Sequence, residues 1–222
     1  LIHIGALRAL HGGKAYAISY YLASPDGANV AVGISEGGTE NAHLTVHDAM
    51  SGKTIAGPID RAQFGLQTWN GDGKILYFNR LRRMGPGDPA TDKYGGSTVD
   101  AWDMASAPRP ILGRGIPDSP VFEDAETPQL TVAAHAASAI AQSTNGAQPE
   151  LSLWSTDARN LNSRKIGWRQ IARREDGITA FAISGQDIYF LSHKAAPNFK
   201  VIAMKANVSL AQARKLLPAD NE

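Results

Sequence analysis

The pentapeptide Gly33-Ile34-Ser35-Glu36-Gly37 has the Gly-x-Ser-x-Gly spacing that presents a serine nucleophile on a strained turn, with helix amides beside the developing oxyanion. That chemistry needs a strand entering the turn and a helix leaving it. A strand-like run does precede Ser35, but Gly37-Gly38-Thr39 follows it and another alternating run opens at His43. The context predicts a polar turn between two strands, and no catalytic residue is assigned.

The six histidines form no better constellation. His43 and His47 stand four apart, which is ligand spacing on a helix, but on a strand these positions lie about 13 Å apart along one face. No His-Glu-x-x-His occurs, so His43, His47, His135 and His193 read as surface or satisfied core groups and no metal site is expected. His3 and His11 sit in a start that looks frayed. With neither a Walker loop nor Gly-x-Gly-x-x-Gly in the chain, no cofactor is expected. Glu123, Asp124 and Glu126 read as a solvated acidic loop, and Asn207-Val208-Ser209 as a chance glycosylation sequon. Trp69, Trp102, Trp154 and Trp168 fall on or near strands, where they pack between sheets most simply.

The elements that must position these groups are short strands. Alternating runs at 17–22, 29–34 and 43–46 are separated by Pro25-Asp26-Gly27 and Met50-Ser51-Gly52-Lys53, with room for a short fourth strand after Lys53. The pattern returns at 64–69, 74–79 and 98–103, then at 130–136, 139–143, 150–155 and 168–172, and finally at 178–183, 187–192 and 199–205. Equivalent turns at Gly27 and Gly73 are 46 apart, and those near Ala137 and Gly185 are 48 apart. The middle interval is longer by an insertion spanning 82–97. A unit of about 45 to 50 residues with four antiparallel strands is one β-propeller blade. The expected fold class is therefore all-β, a β-propeller of about four blades over 14–60, 61–118, 119–175 and 176–218, with almost no helix. The stretch 209–217 suits either a capped helix or an outer strand at 214–217, and the repeat favours the strand.

Composition narrows the function classes. The 22 Lys+Arg and 21 Asp+Glu residues leave a formal charge of +1, without the clustered basic excess of a nucleic-acid partner. At 43% hydrophobic and 19% charged the chain can bury a core. Cysteine is absent, which removes disulfides, thiolate metal sites and a cysteine nucleophile. The longest apolar stretch, 131–141, is interrupted by His135 and falls short of the roughly 20 residues of a membrane helix, so no membrane partner is expected. The opening Leu-Ile-His-Ile-Gly lacks the features of a signal peptide. The expectation is a soluble, cytoplasmic or periplasmic protein from which something upstream has been removed.

The run from Tyr20 through Ser24-Pro25-Asp26-Gly27, and then Val30 to Ser35-Glu36-Gly37-Gly38-Thr39-Glu40, resembles the propeller of the prolyl oligopeptidase family of serine peptidases. Phe64 to Trp69, Asp72-Gly73-Lys74, Tyr77-Phe78-Asn79-Arg80, Val121-Phe122-Glu123-Asp124, Leu153-Trp154, 192–201 and Leu216-Leu217-Pro218 continue the resemblance in the family's order. It implies a seven-bladed propeller that restricts entry of short peptides to an α/β-hydrolase domain. That domain holds the catalytic triad, follows the propeller in the chain, and is absent from these 222 residues. The resemblance also implies two site residues. Glu40 matches an acidic position facing the hydrolase domain, and Phe64 an aromatic of a distal substrate subsite. Where the family places a Trp-Met pair and an Arg with a following Cys, this chain has Leu130-Thr131 and 144–147, departures that weigh against proline specificity.

Two function classes follow from these readings. The first is a propeller segment of a prolyl endopeptidase-like enzyme, inactive alone, whose partners are the missing hydrolase domain and short peptides. The second is a stand-alone propeller binding module. Either way, open blade edges lead us to expect self-association of the fragment.

Overall fold

The structure is a computed structural model that describes residues 2–37, 39, 41–63, 65–123, 125–133 and 136–217. Among the described residues, sixteen strands form four four-stranded antiparallel sheets, each a meander in which sequence neighbours pair. The first sheet contains β1 (Tyr16–Ala23), β2 (Asn29–Glu36), β3 (His43–Asp48) and β4 (Thr54–Ile59), and the second β5 (Leu66–Trp69), β6 (Leu76–Arg80), β7 (Thr98–Trp102) and β8 (Arg109–Gly113). The third is built of β9 (Thr127–Val132), β10 (Ser138–Asn145), β11 (Gln148–Asp157) and β12 (Arg169–Ala172). The fourth is built of β13 (Ile178–Ser184), β14 (Asp187–Ser192), β15 (Lys200–Lys205) and β16 (Arg214–Leu217). The all-β propeller expectation is met, and the chain divides into two compact units, Leu1–Ile111 and Leu112–Glu222.

The middle strands show why the sequence reads as apolar runs rather than clean alternation. In β6 four consecutive residues, Leu76, Tyr77, Phe78 and Asn79, are buried, because both faces of the strand are covered. In the first unit, Leu44, Val46, Trp69, Leu76, Phe78 and Trp102 pack into one core shared by its two sheets. The Phe78 and Trp102 rings meet nearly edge-on at 6.3 Å. In the second, Ile140, Leu153, Ile171, Ile178, Ile188, Phe190 and Met204 do the same. Burial of such side chains, each contributing about 1.5 to 3 kcal/mol, joins neighbouring sheets where backbone hydrogen bonds do not. Trp69 also donates its indole N–H to the Leu22 carbonyl at 3.3 Å.

Two local features depart from expectation, and one open reading is resolved. A seven-residue helix, α1 (Ile4–Leu10), occupies the start, capped by His3, whose Nδ1 accepts from the Ala6 amide at 3.1 Å. It buries none of its own residues, so no amphipathic pattern announced it. The second sheet has a fourth strand, β8, where only three were read, because Pro108 and Pro110 flank and interrupt its short apolar run. In the 209–217 stretch the favoured outer strand forms at Arg214–Leu217, and no α-helix does. Ser209 caps a 3-10 turn at Leu210–Gln212 by accepting from the Ala211 amide, and the edge strand β16 follows.

Candidate functional site

Each sheet has two unlike ends. The hairpin end carries the turn between its first two strands and the turn between its last two. The crossover end carries the turn between the second and third strands together with the connections from sheet to sheet. Glu40 and Phe64 belong by sequence to crossover-end connections, after β2 and before β5, and both lie outside the described residues. So do Asp124 and His135.

The Gly-x-Ser-x-Gly match is structural. Gly33 sits opposite Tyr20 in the β1–β2 ladder, and a Cβ there would lie 2.1 Å from the Tyr20 ring. The glycine lets the phenol cross β2 and donate its hydroxyl to the Ala62 carbonyl, and burial raises the phenol's pKa. Ser35 is 5% exposed within β2, and its Oγ accepts from the Ser19 hydroxyl at 3.1 Å. Among the described residues no histidine is bonded to a serine hydroxyl, so the strand and its neighbours form no acyl-transfer site. His47 is buried with its Nε2 2.9 Å from Thr45 Oγ1 and its Nδ1 3.3 Å from Thr54 Oγ1, which is the satisfied core role. Among the described residues, no three histidine or carboxylate side chains are placed to hold a metal ion. Among the described residues no helix is long and apolar enough to cross a membrane.

The crossover end gathers most of the long-range charge pairs. In the first unit Arg80, at the end of β6, pairs with Asp60 in the β4–β5 connection and lies 3.6 Å from Asp100 on β7. Asp60 also receives Arg61 Nε at 3.2 Å, and Arg61 donates to the Leu81 carbonyl at 2.7 Å. Partial burial raises the Asp60 pKa, but the hydrogen bonds from Arg80 and Arg61 outweigh it and hold the carboxyl at about 2. Asp100 is 3% exposed and behaves oppositely. Burial pushes its pKa up, and a hydrogen bond from Thr98 with the more distant Arg80 does not reverse that. Lys14 and Glu36 pair at 2.6 Å beside the start of β1.

In the second unit Glu126, in the loop read as solvated acid, is only 7% exposed. It accepts from Ser143 at 2.9 Å, from the Glu123 amide at 2.8 Å, and from Arg174 in the β12–β13 connection. The solvated reading is corrected for this residue, because a carboxylate with three donors can be buried. His193, after β14, places Nε2 2.9 Å from Glu150 Oε1 on β11. Glu150 is held below the usual carboxylate range by its own backbone amide first and by His193 second. Lys194 meets Asp176 at 2.8 Å. Phe199 lies edge-on to His193 at 5.8 Å with φ of +65°, a conformation costing a bulky residue about 1 to 3 kcal/mol.

None of these pairs was singled out in the sequence, yet a signal existed. Arg174 follows Glu126 by 48 positions and His193 follows Glu150 by 43. The Tyr20–Ala62 and Trp69–Leu22 hydrogen bonds span 42 and 47. Each separation is close to one blade, as expected when every repeat contacts its neighbour.

The family model described as prolyl oligopeptidase, N-terminal β-propeller domain, matches residues 9–222. No curated protein matches the sequence significantly. Among solved structures, a prolyl endopeptidase from a study of inter-domain dynamics superposes with a TM-score of 0.75 at 17% identity, over 94% of this chain and 30% of that one. Prolyl oligopeptidase B from Galerina marginata, in its apo form, gives 0.74 at 14% over 96% and 30%. Oligopeptidase B from Leishmania major gives 0.72 at 14% over 96% and 28%. The chain thus spans about 30% of the length of these neighbours. With its four blade-like sheets and the family match over nearly all of its length, the chain belongs to the prolyl oligopeptidase family, in that family's N-terminal β-propeller domain.

Proposed function

We propose that this chain is the propeller segment of a prolyl oligopeptidase-type serine endopeptidase, that it gates access of short peptides to a hydrolase domain, and that it supplies no catalytic group. The observation that carries this reading is the propeller-family match over residues 9–222, in a chain whose one nucleophile-like serine is a buried strand residue. In this reading the four sheets, at about 14–60, 61–118, 119–175 and 176–218, are blades of a larger ring. Glu40 faces the hydrolase domain and Phe64 lines a distal subsite, both on the strength of the family resemblance. The test is the polypeptide encoded with its flanking sequence. It should hydrolyse short peptides and spare folded proteins, whereas the same polypeptide lacking residues 1–222 should lose that discrimination. Cleavage of folded proteins at an unchanged rate by both forms would reject the gate.

A second reading, a propeller that binds a partner without catalysis, is favoured by Leu130. It stands where the family places a subsite residue and is 2% exposed in β9, so it is a core side chain that cannot wall a substrate pocket. The downstream reading frame separates the two. A hydrolase domain encoded after Glu222 supports the first reading, and a stop codon there supports the second.

A further inference from the structure

The hairpin end of the second unit contains a cleft of about 430 Å³ between the third and fourth sheets, whose lining includes Ser138, Ser155, Asn160, Arg169, Gln186 and Asn207. Ser138, Ser155 and Arg169 stand two positions from Ile140, Leu153 and Ile171, which pack in the core between these sheets. With a strand period of two, they share the core-facing side of the third sheet. Sheets about 10 Å apart need large side chains to fill the space between them. Here two serines and Ala206, whose carbonyl accepts from Ser155 Oγ at 3.4 Å, leave it open. Arg169 reaches from β12 to the β15–β16 connection, donating to the Val208 carbonyl at 3.2 Å and to the Ala206 carbonyl. Its Nε has no partner among the described residues. Ser138 is 9% exposed, and among the described residues its hydroxyl has no hydrogen-bond partner either. The side-chain amides of Asn160, Gln186 and Asn207 at the rim are equally uncommitted. Asp157, the one acid in the lining, is held at both oxygens by Arg159, at 3.0 and 2.6 Å.

The charges around the cleft favour an anion. The turns and strand ends at this end of the two sheets, 133–138, 155–169, 184–187 and 205–214, carry Arg159, Arg164, Lys165, Arg169, Lys205 and Arg214 against Asp157 and Asp187. Both acids are already paired, with Arg159 and Lys205. Four cations are left without an acidic partner among the described residues, and Arg169 is the one that lines the cleft. A guanidinium fixed by carbonyls still carries its full charge and presents a planar set of donors that matches a carboxylate. A buried hydroxyl without a partner costs free energy that a ligand oxygen would recover. We propose that this cleft binds the carboxylate of a small polar molecule, with Arg169 as counter-charge, the Ser138 hydroxyl as buried donor and the rim amides meeting the polar remainder. The carboxylate comes from a peptide C-terminus or from a free hydroxy acid. A phosphate dianion would find a single cation in the lining, and an amine would meet the cationic surplus. The cleft lies within one unit of this chain, so the proposal stands or falls independently of the gate.

The test is an NMR titration of the 222-residue chain with N-acetyl-trialanine, its C-terminal amide, lactate and inorganic phosphate. At least one of the two carboxylates should shift the Ser138, Gln186 and Asn207 amides with a dissociation constant of about 1 mM. Shifts with N-acetyl-trialanine alone identify a peptide C-terminus, and shifts with lactate alone a free hydroxy acid. Ser138→Ala removes a hydroxyl that bonds nothing in the free chain. It should therefore leave the thermal midpoint unchanged or raised while weakening carboxylate binding about fivefold, a split that a purely structural serine would not give. Arg169→Gln should weaken binding about tenfold or more. Because Arg169 also ties two elements together, the exposed-site variant Asn160→Ala, expected to weaken binding about twofold, is measured beside it. The proposal is overturned if neither carboxylate shifts these resonances, if the amide control binds as well as N-acetyl-trialanine, if phosphate binds more tightly than both carboxylates, or if Ser138→Ala leaves the affinity unchanged.

Discussion

The two ends of the sheets use carboxylates in opposite ways. At the hairpin end most of them bond their own turns, Asp187, which meets Lys205 at 3.1 Å across two strands, being the exception. Asp26 accepts from Ser24 Oγ at 2.5 Å and the Ala28 amide at 3.0 Å, Asp48 from the Ser51 amide at 2.7 Å, and Asp103 from the Ser106 amide at 2.9 Å. All three titrate below the usual range, with the Ser24 hydroxyl, the Ser51 hydroxyl and the Ser106 amide as the largest causes. At the crossover end, by contrast, Asp60, Glu126 and Glu150 bond residues 20 to 48 positions away. Asp88, bonded to the Gly85 amide at 2.9 Å, is a local exception there. The difference teaches that one end closes each hairpin by itself and the other ties separate elements together. Residues that present a surface to a partner gain most from the second arrangement, because fixed charges lose less on being ordered.

The comparison breaks first at Arg174. Replacing it with methionine leaves Glu126 buried with a charge and no cation, and should cost about 3 kcal/mol in a denaturant titration. A loss below about 1 kcal/mol would remove the distinction between the ends. Gly33→Ala comes next. Its Cβ meets the Tyr20 ring at 2.1 Å, so the ring must leave and the cross-sheet bond to Ala62 with it. Overpacking of this kind costs about 2 kcal/mol, read as a lower thermal midpoint. Asp48→Ala, at the hairpin end, should cost least of the three, since it removes only a local turn bond, and should give the smallest fall in thermal midpoint.

Asp100 sharpens the contrast through pH. Its folded pKa is raised above the unfolded value, so the ionised form opposes folding at neutral pH, and stability is regained as pH falls through the folded value. Asp60 is depressed to about 2. Its contribution is present above the unfolded value near 4 and is lost only as pH falls towards 2. Asp100→Asn should therefore be neutral or slightly stabilising at pH 7, by less than about 1 kcal/mol, with the difference from the parent chain shrinking towards pH 4. A large loss at pH 7, measured by the same denaturant titration, would show that Arg80 holds Asp100 as tightly as it holds Asp60.

What was legible in the sequence follows the same division. Turns such as Pro25-Asp26-Gly27 and Asn70-Gly71-Asp72-Gly73 announce themselves, because every group that makes them is within five residues. Gly73 has φ of +70°, and Asn70 Oδ1 accepts from the Lys74 and Ile75 amides at 2.9 Å. The blade period followed from those turns, and the period gave the fold class. The crossover-end pairs stayed hidden because their partners are a blade apart, and a lone Glu126 or His193 looks like any solvated charge until neighbouring blades are superposed. Helix α1 was missed for the opposite reason, since it has a local cap at His3 but no buried face to give it a period. Glu40 and Phe64 rest on family resemblance, because no spacing in this chain marks an acid or an aromatic as facing another domain.

The central claim is that these 222 residues are scaffold and surface, with the chemistry supplied by another domain. A fluorophosphonate probe applied to the chain tests it most directly, with the Ser35→Ala variant as control. The account predicts no serine labelling of either, because Ser35 is buried in β2 and bonded to Ser19 rather than to a base. Labelling of the parent chain that disappears in Ser35→Ala would contradict it.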